Sequence, residues 1–169
     1  ATNARKVEDI IFTDSEGNYN FKDVPEGVYT ICASSDNSTK KAVLTNVTVT
    51  AGRTVTASDL GLTATGSITG KITIDGSTDG VLGLDVFIAG TSFVAKVGSD
   101  GNYEISNIPA KKGYILCVQK EKYTTTIEDN LEVKGNDTVK IKDENLSSKD
   151  WEEGTVEQEN PTFKWLGSF

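Results

Sequence analysis

Residues 14–32 read DSEGNYNFKDVPEGVYTIC, and residues 99–117 read SDGNYEISNIPAKKGYILC. Gly17, Asn18, Tyr19 and Phe21 fall on Gly101, Asn102, Tyr103 and Ile105, and Val24-Pro25 falls on Ile108-Pro109. After one inserted residue, Tyr29, Ile31 and Cys32 meet Tyr114, Leu116 and Cys117. The match resumes with Asn46, Val47 and Val49 over Asn130, Leu131 and Val133. It then continues with Val55, Asp59 and Leu62 over Val139, Asp143 and Leu146. Agreement at so many positions, with so few length changes, means that one fold unit occurs twice.

Each copy has the pattern of β structure. Thr, Val and Ile dominate, apolar residues alternate over short runs, and Gly, Asn and Asp cluster between them. In GSITGKITID, Ile68, Gly70, Ile72 and Ile74 share one parity and give a strand with one apolar face. LDVFIAG, SFVAKV, YEIS, GYILCV, TTTIED, NLEV and TVKI supply the rest, so about seven or eight short strands fit into about 80 residues, the density of a small sandwich. No stretch carries a 3.6-residue apolar period, so helix is expected to be minimal. Glu16-Gly17-Asn18 and Asp100-Gly101-Asn102 put Gly and Asn where a tight turn asks for positive φ. Val24-Pro25 and Ile108-Pro109 then add an apolar plug and a rigid bend ahead of the tyrosine strand.

The pattern Asp/Glu-Gly-Asn-Tyr-x-apolar-x-Asn/Asp-apolar-Pro-x-x-Gly-x-Tyr-x-apolar, with GSITGKIT and LGLDVFIAGT, resembles the carboxypeptidase regulatory-like domains. The resemblance implies two tandem Greek-key β-sandwiches of transthyretin-like (prealbumin-like) type. Residues 1–63 would be one such sandwich lacking its first strand, and residues 64–146 a complete one. Residues 147–169 would be an acidic linker and the start of a following module or a donor strand. The family is an accessory module with no catalytic residues of its own, so the resemblance speaks to fold more than to function.

Copy two opens with Gly66 to Asp85, whose counterparts in copy one would precede Ala1. A sandwich missing a strand leaves unpaired backbone and an uncovered core, so something is expected to fill the gap: a first strand that is disordered or lies ahead of Ala1 is the preferred expectation, and strand donation is the alternative. After Leu146 the chain turns acidic, then ends in PTFKWLGSF, where Phe163, Trp165 and Gly167 alternate with Lys164, Leu166 and Ser168. This segment either opens a following module, the preferred expectation, or exchanges as a strand through residues 161–169 with an exposed edge.

Function classes narrow by exclusion. A formal net charge of −8, with scattered Lys and Arg, opposes nucleic acid as a partner. The sequence has no His, which removes hydrolase triads, and no apolar run reaches membrane-spanning length. Neighbouring acids such as Glu8-Asp9, Asp143-Glu144 and Glu152-Glu153 face opposite ways on a strand and read as solvated charge. Asp14-x-Glu16-Gly17-Asn18 and Asp75-x-x-x-Asp79 have a faint calcium-loop character without the full ligand spacing, so no metal is expected. Lys71 and Asn130 have the residue types of a self-cross-linking Lys–Asn pair, but Ala33 and Val118 stand where such domains carry the catalytic acid. Cys32 and Cys117 are one residue off the parity of their core tyrosines, belong to different copies, and are expected to be free thiols.

Carbohydrate binding needs exposed aromatic faces, for which Tyr123, Trp151 and Trp165 are the candidates. The expected whole is a non-enzymatic, cofactor-free structural spacer or adhesion module of a larger bacterial surface or secreted protein. Its cores would be separate and joined end to end at about Leu62 to Gly66. An accessory glycan- or peptide-binding module is the alternative. Its partners would be other modules of the same protein and a glycan or protein ligand. Its location would be extracellular or at the cell surface, with lipid anchoring through a segment ahead of Ala1 as one route.

Overall fold

The computed structural model describes residues 7–120, 123–149 and 164–166. Every element with assigned bounds is a strand: β1 (Val7–Asp9), β2 (Gly27–Ser34), β3 (Lys40–Val49), β4 (Thr63–Ile74), β5 (Asp85–Ile88), β6 (Val94–Lys96), β7 (Asn102–Pro109), β8 (Lys111–Lys120), β9 (Tyr123–Val133), β10 (Thr138–Lys140), β11 (Glu144–Leu146) and β12 (Lys164–Leu166). They form two sheets. One runs β1-β12-β2-β3-β4-β10, with β7 and β11 also paired to β4, and the other runs β6-β5-β8-β9.

The centre of the second repeat is β4. Its alternation places Gly66, Ile68, Gly70, Ile72 and Ile74 inward, and all five are buried. One edge pairs antiparallel with β7, opposing Ile68 to Ile105 and Gly70 to Tyr103. The other pairs parallel with β10, opposing Ile68 to Val139, and with β11, opposing Ile74 to Leu146. Ile68, Ile72, Ile105 and Ile108 from this sheet pack with Val86, Ile88, Leu116, Val118 and Leu131 from the other, so a β-sandwich core lies between the two layers.

The backbone repeats with the sequence. Gly17 and Gly101 both have positive φ, as do Asp23 and Asn107, Asn46 and Asn130, and Gly52 and Asn136. Asn and Asp are the non-glycine residues that tolerate this conformation best, which explains their placement. Asn46 and Asn130 each sit in a bulge. In β3 the register passes from Tyr29↔Val47 to Ile31↔Leu44, and in β9 from Tyr114↔Leu131 to Leu116↔Glu128, one extra residue each time. The tyrosine strands match as well: Tyr29 Oη donates to the Pro25 carbonyl at 2.7 Å, and Tyr114 Oη donates to the Pro109 carbonyl at 2.9 Å.

The repeats are not held apart, which corrects the expectation of separate cores joined by a short link. Thr63–Gly66 is already strand: Thr63 and Ala64 pair with Lys41 and Lys40 of β3. Cys32 and Val43 of the first hairpin belong to the same buried cluster as the second repeat's core. The reason lies in β2, where Tyr29 through Ala33 are all buried. Tyr29 and Ile31 serve a small cluster of the first repeat, while Thr30 and Cys32 on the other face turn to the second repeat.

Two differences follow from a strand without a counterpart. Residues 18–25 match β7 in sequence but form no strand, because among the described residues no partner stands where β4 stands beside β7. In the second repeat β5 pairs antiparallel with β8, whereas the matching edge of β2 carries β12 in parallel, with Trp165 opposite Thr30 and Leu166 opposite Ile31. The tail segment 164–166 thus lies on an edge of its own chain, and β1 extends the sheet beyond it.

Candidate interaction groove

An open groove of ≈ 1590 Å³ runs along the first repeat. One wall is residues 16–24, the matches of the turn and strand β7. The other is residues 49–62, the matches of the stretch that carries β10 and β11. Its floor includes Ile31, Val47 and Val49 of β2 and β3. In the second repeat this space between the corresponding walls is filled by β4.

Matched side chains record the difference. Tyr103, Ile105, Ile108, Val133 and Leu146 are buried, but Tyr19, Phe21, Val24 and Val49 are only half-buried and Leu62 is 42% exposed. Phe12, at 84%, and Val55, at 42%, add further exposed apolar surface to the groove. Tyr19 and Phe21 meet edge to face with ring centroids 6.0 Å apart, which keeps this wall apolar without a strand to hold it. The turns agree: a Cβ on Gly101 would strike the Ile72 carbonyl oxygen, whereas one on Gly17 would meet nothing within 4 Å.

The polar groups at this end serve the turns. Asp14 accepts from the backbone N–H groups of Glu16 and Asn18 at 2.9 and 2.8 Å, and Asp100 accepts from Asn102 N–H at 3.0 Å. Asn18 holds the Asp14 carboxyl below the ordinary carboxylate range, and Asn102 does the same for Asp100. These two carboxylates are therefore hydrogen-bonded turn acceptors. Asp75 likewise accepts the Ser148 N–H at 3.2 Å. Among the described residues, no group of three or more His, Cys, Asp or Glu side chains is placed to hold a metal ion.

Burial pushes the Cys32 thiol up to about 11 against the opposing pull of Lys41, and both cysteines are buried thiols not joined in a disulfide. Burial also raises the phenols of Tyr103, to about 12, and of Tyr114. Lys71 lies on β4 opposite Asn102, and Asn130 is exposed at the β9 bulge. Of the aromatic candidates, Tyr123 opens β9 in the four-stranded sheet and Trp165 is in β12 of the larger one, while Trp151 lies outside the described residues. The groove lies where the sequence leads one to expect a gap, along the neighbours of the strand that the first repeat lacks among its described residues.

No protein-family model matches the sequence, and no curated protein matches it. No described helix is long and apolar enough to cross a membrane. Among solved structures, the chain is similar to a chain of the N-terminal interface mutant of a type II cohesin-X-dockerin complex from Acetivibrio cellulolyticus. Identity is 25% over 44% of this chain and 51% of that one, at a TM-score of 0.38. The C-terminal interface mutant of the same complex matches at 25% identity over 46% and 51%, with a TM-score of 0.39. The chain spans about half the length of the solved chains it matches.

Proposed function

We propose that this chain is a non-catalytic tandem pair of carboxypeptidase regulatory-like, transthyretin-like Greek-key sandwiches, serving as a structural spacer or adhesion module in a larger secreted or bacterial surface protein. The observation that carries the reading is the duplicated Tyr–Pro corner, Tyr29 to Pro25 and Tyr114 to Pro109, set beside the duplicated Asn46 and Asn130 bulges. These devices fix a strand path, and they use polar groups for architecture. The domain scheme is residues 1–63 and 64–146, packed against each other through β2, with 147–169 as an acidic linker and the start of a following module or a donor strand.

A spacer must resist force along the chain. A polyprotein of this chain pulled by its ends is expected to unfold in discrete force peaks, the larger one belonging to the second repeat, whose β4 is bonded on both edges. Smooth extension without peaks would contradict the role. The accessory-module alternative places a glycan on Tyr123, Trp151 or Trp165. It would be supported by saturable glycan binding that alanine at one of these positions abolishes.

A further inference from the structure

We propose that Asp79-Gly80 is a self-modification site, at which the native fold lets the main chain isomerise to isoaspartate while it protects the other Asp-Gly pairs. The sequence holds three such pairs, Asp75-Gly76, Asp79-Gly80 and Asp100-Gly101. A following glycine has no side chain to shield its amide, so these are the aspartates whose carboxyl carbon is most open to attack. The reaction needs no cofactor. The Gly80 nitrogen, having given its proton to water, attacks Cγ of the protonated Asp79 carboxyl. A C–N bond forms, the Cγ–OH bond breaks, and water leaves a five-membered succinimide. Water then adds to one of the two ring carbonyls. Attack at the main-chain carbonyl breaks its bond to nitrogen and leaves the chain running through Cβ and Cγ, which is isoaspartate. Attack at Cγ restores aspartate. One water is lost and one gained, with no change of oxidation state.

Hydrogen bonding separates the three pairs. Gly76 N–H donates to Asn145 Oδ1 at 2.7 Å, and Gly101 N–H donates to the Gly98 carbonyl at 3.0 Å. Their carboxylates are held too: Asp75 accepts the Ser148 N–H at 3.2 Å, and Asp100 accepts the Asn102 N–H and side-chain amide at 3.0 and 2.6 Å. The bonds from Ser148 and Asn102 keep both carboxyls below the ordinary range, and so away from the protonated form that reacts. Gly101 is also buried, closely packed against the Ile72 carbonyl. Among the described residues, neither the Gly80 N–H nor the Asp79 carboxylate has a hydrogen-bond partner. Both residues are exposed, and a Cβ on Gly80 would meet nothing within 4 Å. The pair lies between β4 and β5, just ahead of Val81 and Leu84, which are buried in the core of the second repeat. Isoaspartate adds one main-chain atom at this point and so loosens the seat of Val81.

The proposal is independent of any mechanical role, so its failure would leave the spacer reading standing. The test incubates the whole native chain in oxygen-18 water at about pH 6, where an unperturbed Asp keeps a small protonated share. A second sample is held in urea. Each passage through the succinimide exchanges one oxygen with solvent, and mass spectrometry with electron-transfer fragmentation places both the label and the isoaspartate. In the native chain, label and isoaspartate are expected at Asp79 at least about fivefold faster than at Asp75 or Asp100, the factor that releasing one hydrogen bond costs. In urea the three sites should converge. Asn145→Ala isolates the cause: it frees the Gly76 N–H and should speed Asp75 while Asp79 keeps its rate. Three sites that react alike in the native chain, or an Asn145→Ala variant in which Asp75 stays as slow as before, would overturn the proposal.

Discussion

The hydroxyl of Thr30 donates to the carbonyl oxygen of Gly90 at 2.6 Å, in a fully buried setting between the first repeat's β2 and the turn after β5. One side chain thus ties the repeats together at a point where water cannot replace it. Thr30→Val keeps the shape and removes the donor, leaving a buried carbonyl unsatisfied, so a loss of about 1–3 kcal/mol in urea unfolding is expected. Thr30→Ser keeps the bond and should cost about 1 kcal/mol or less, the share of one methyl group. Equal losses in the two variants would contradict this role for the hydrogen bond.

The prolyl corners offer a matched pair. Tyr114→Phe removes the donor to Pro109, and Tyr29→Phe removes the donor to Pro25, from the same position of the same unit. Each should lower stability by about 1–2 kcal/mol. Chemical denaturation of both variants checks this, and a neutral effect at both positions would mean that the corner contributes nothing.

Much of this was legible in the residues. The repeat, the Gly-Asn turns and the inward face of β4 follow from local patterns, and these patterns read the same way in both copies. The packing of the repeats did not follow, because it depends on contacts between residues far apart in sequence. Its trace was the run Tyr29-Thr30-Ile31-Cys32-Ala33, which lacks a charged alternate, as a strand buried on both faces does. The parallel pairing of β12 with β2 was equally hidden, since register against a distant edge leaves no mark in a three-residue strand.

Gly70 tests the packing of β4 directly. A methyl group there would run into the Tyr103 ring, so Gly70→Ala should destabilise the chain by about 1–3 kcal/mol. In the Tyr103→Leu background the same change should cost clearly less, and a full cost in that background would point to a cause other than the ring.

Alkali should weaken the fold in a defined window. Burial raises Cys32 from 9.0 to about 11 and Tyr103 from 10.0 to about 12, the latter helped by Glu144. Both groups are neutral when protonated, so their stabilising share is whole below pH 9 and pH 10 respectively and is lost as pH rises through about 11 and 12. Urea midpoints measured across this range should fall, and Cys32→Ala should remove the earlier part of the decline. Midpoints that stay level would contradict the burial of these groups. The same burial should keep both thiols slow to alkylate at about pH 8 in the native protein, whereas the unfolded chain takes up two labels without reductant.

The account stands on one asymmetry: two copies of a unit, one bonded around β4 and one lacking any equivalent among its described residues. Amide hydrogen exchange of the native chain measures it most directly. The account predicts that Tyr103 and Ile105 exchange at least about a hundredfold more slowly than their matches Tyr19 and Phe21, because only the former pair lies in a strand bonded to β4. Equal protection at the two sets of sites would contradict it.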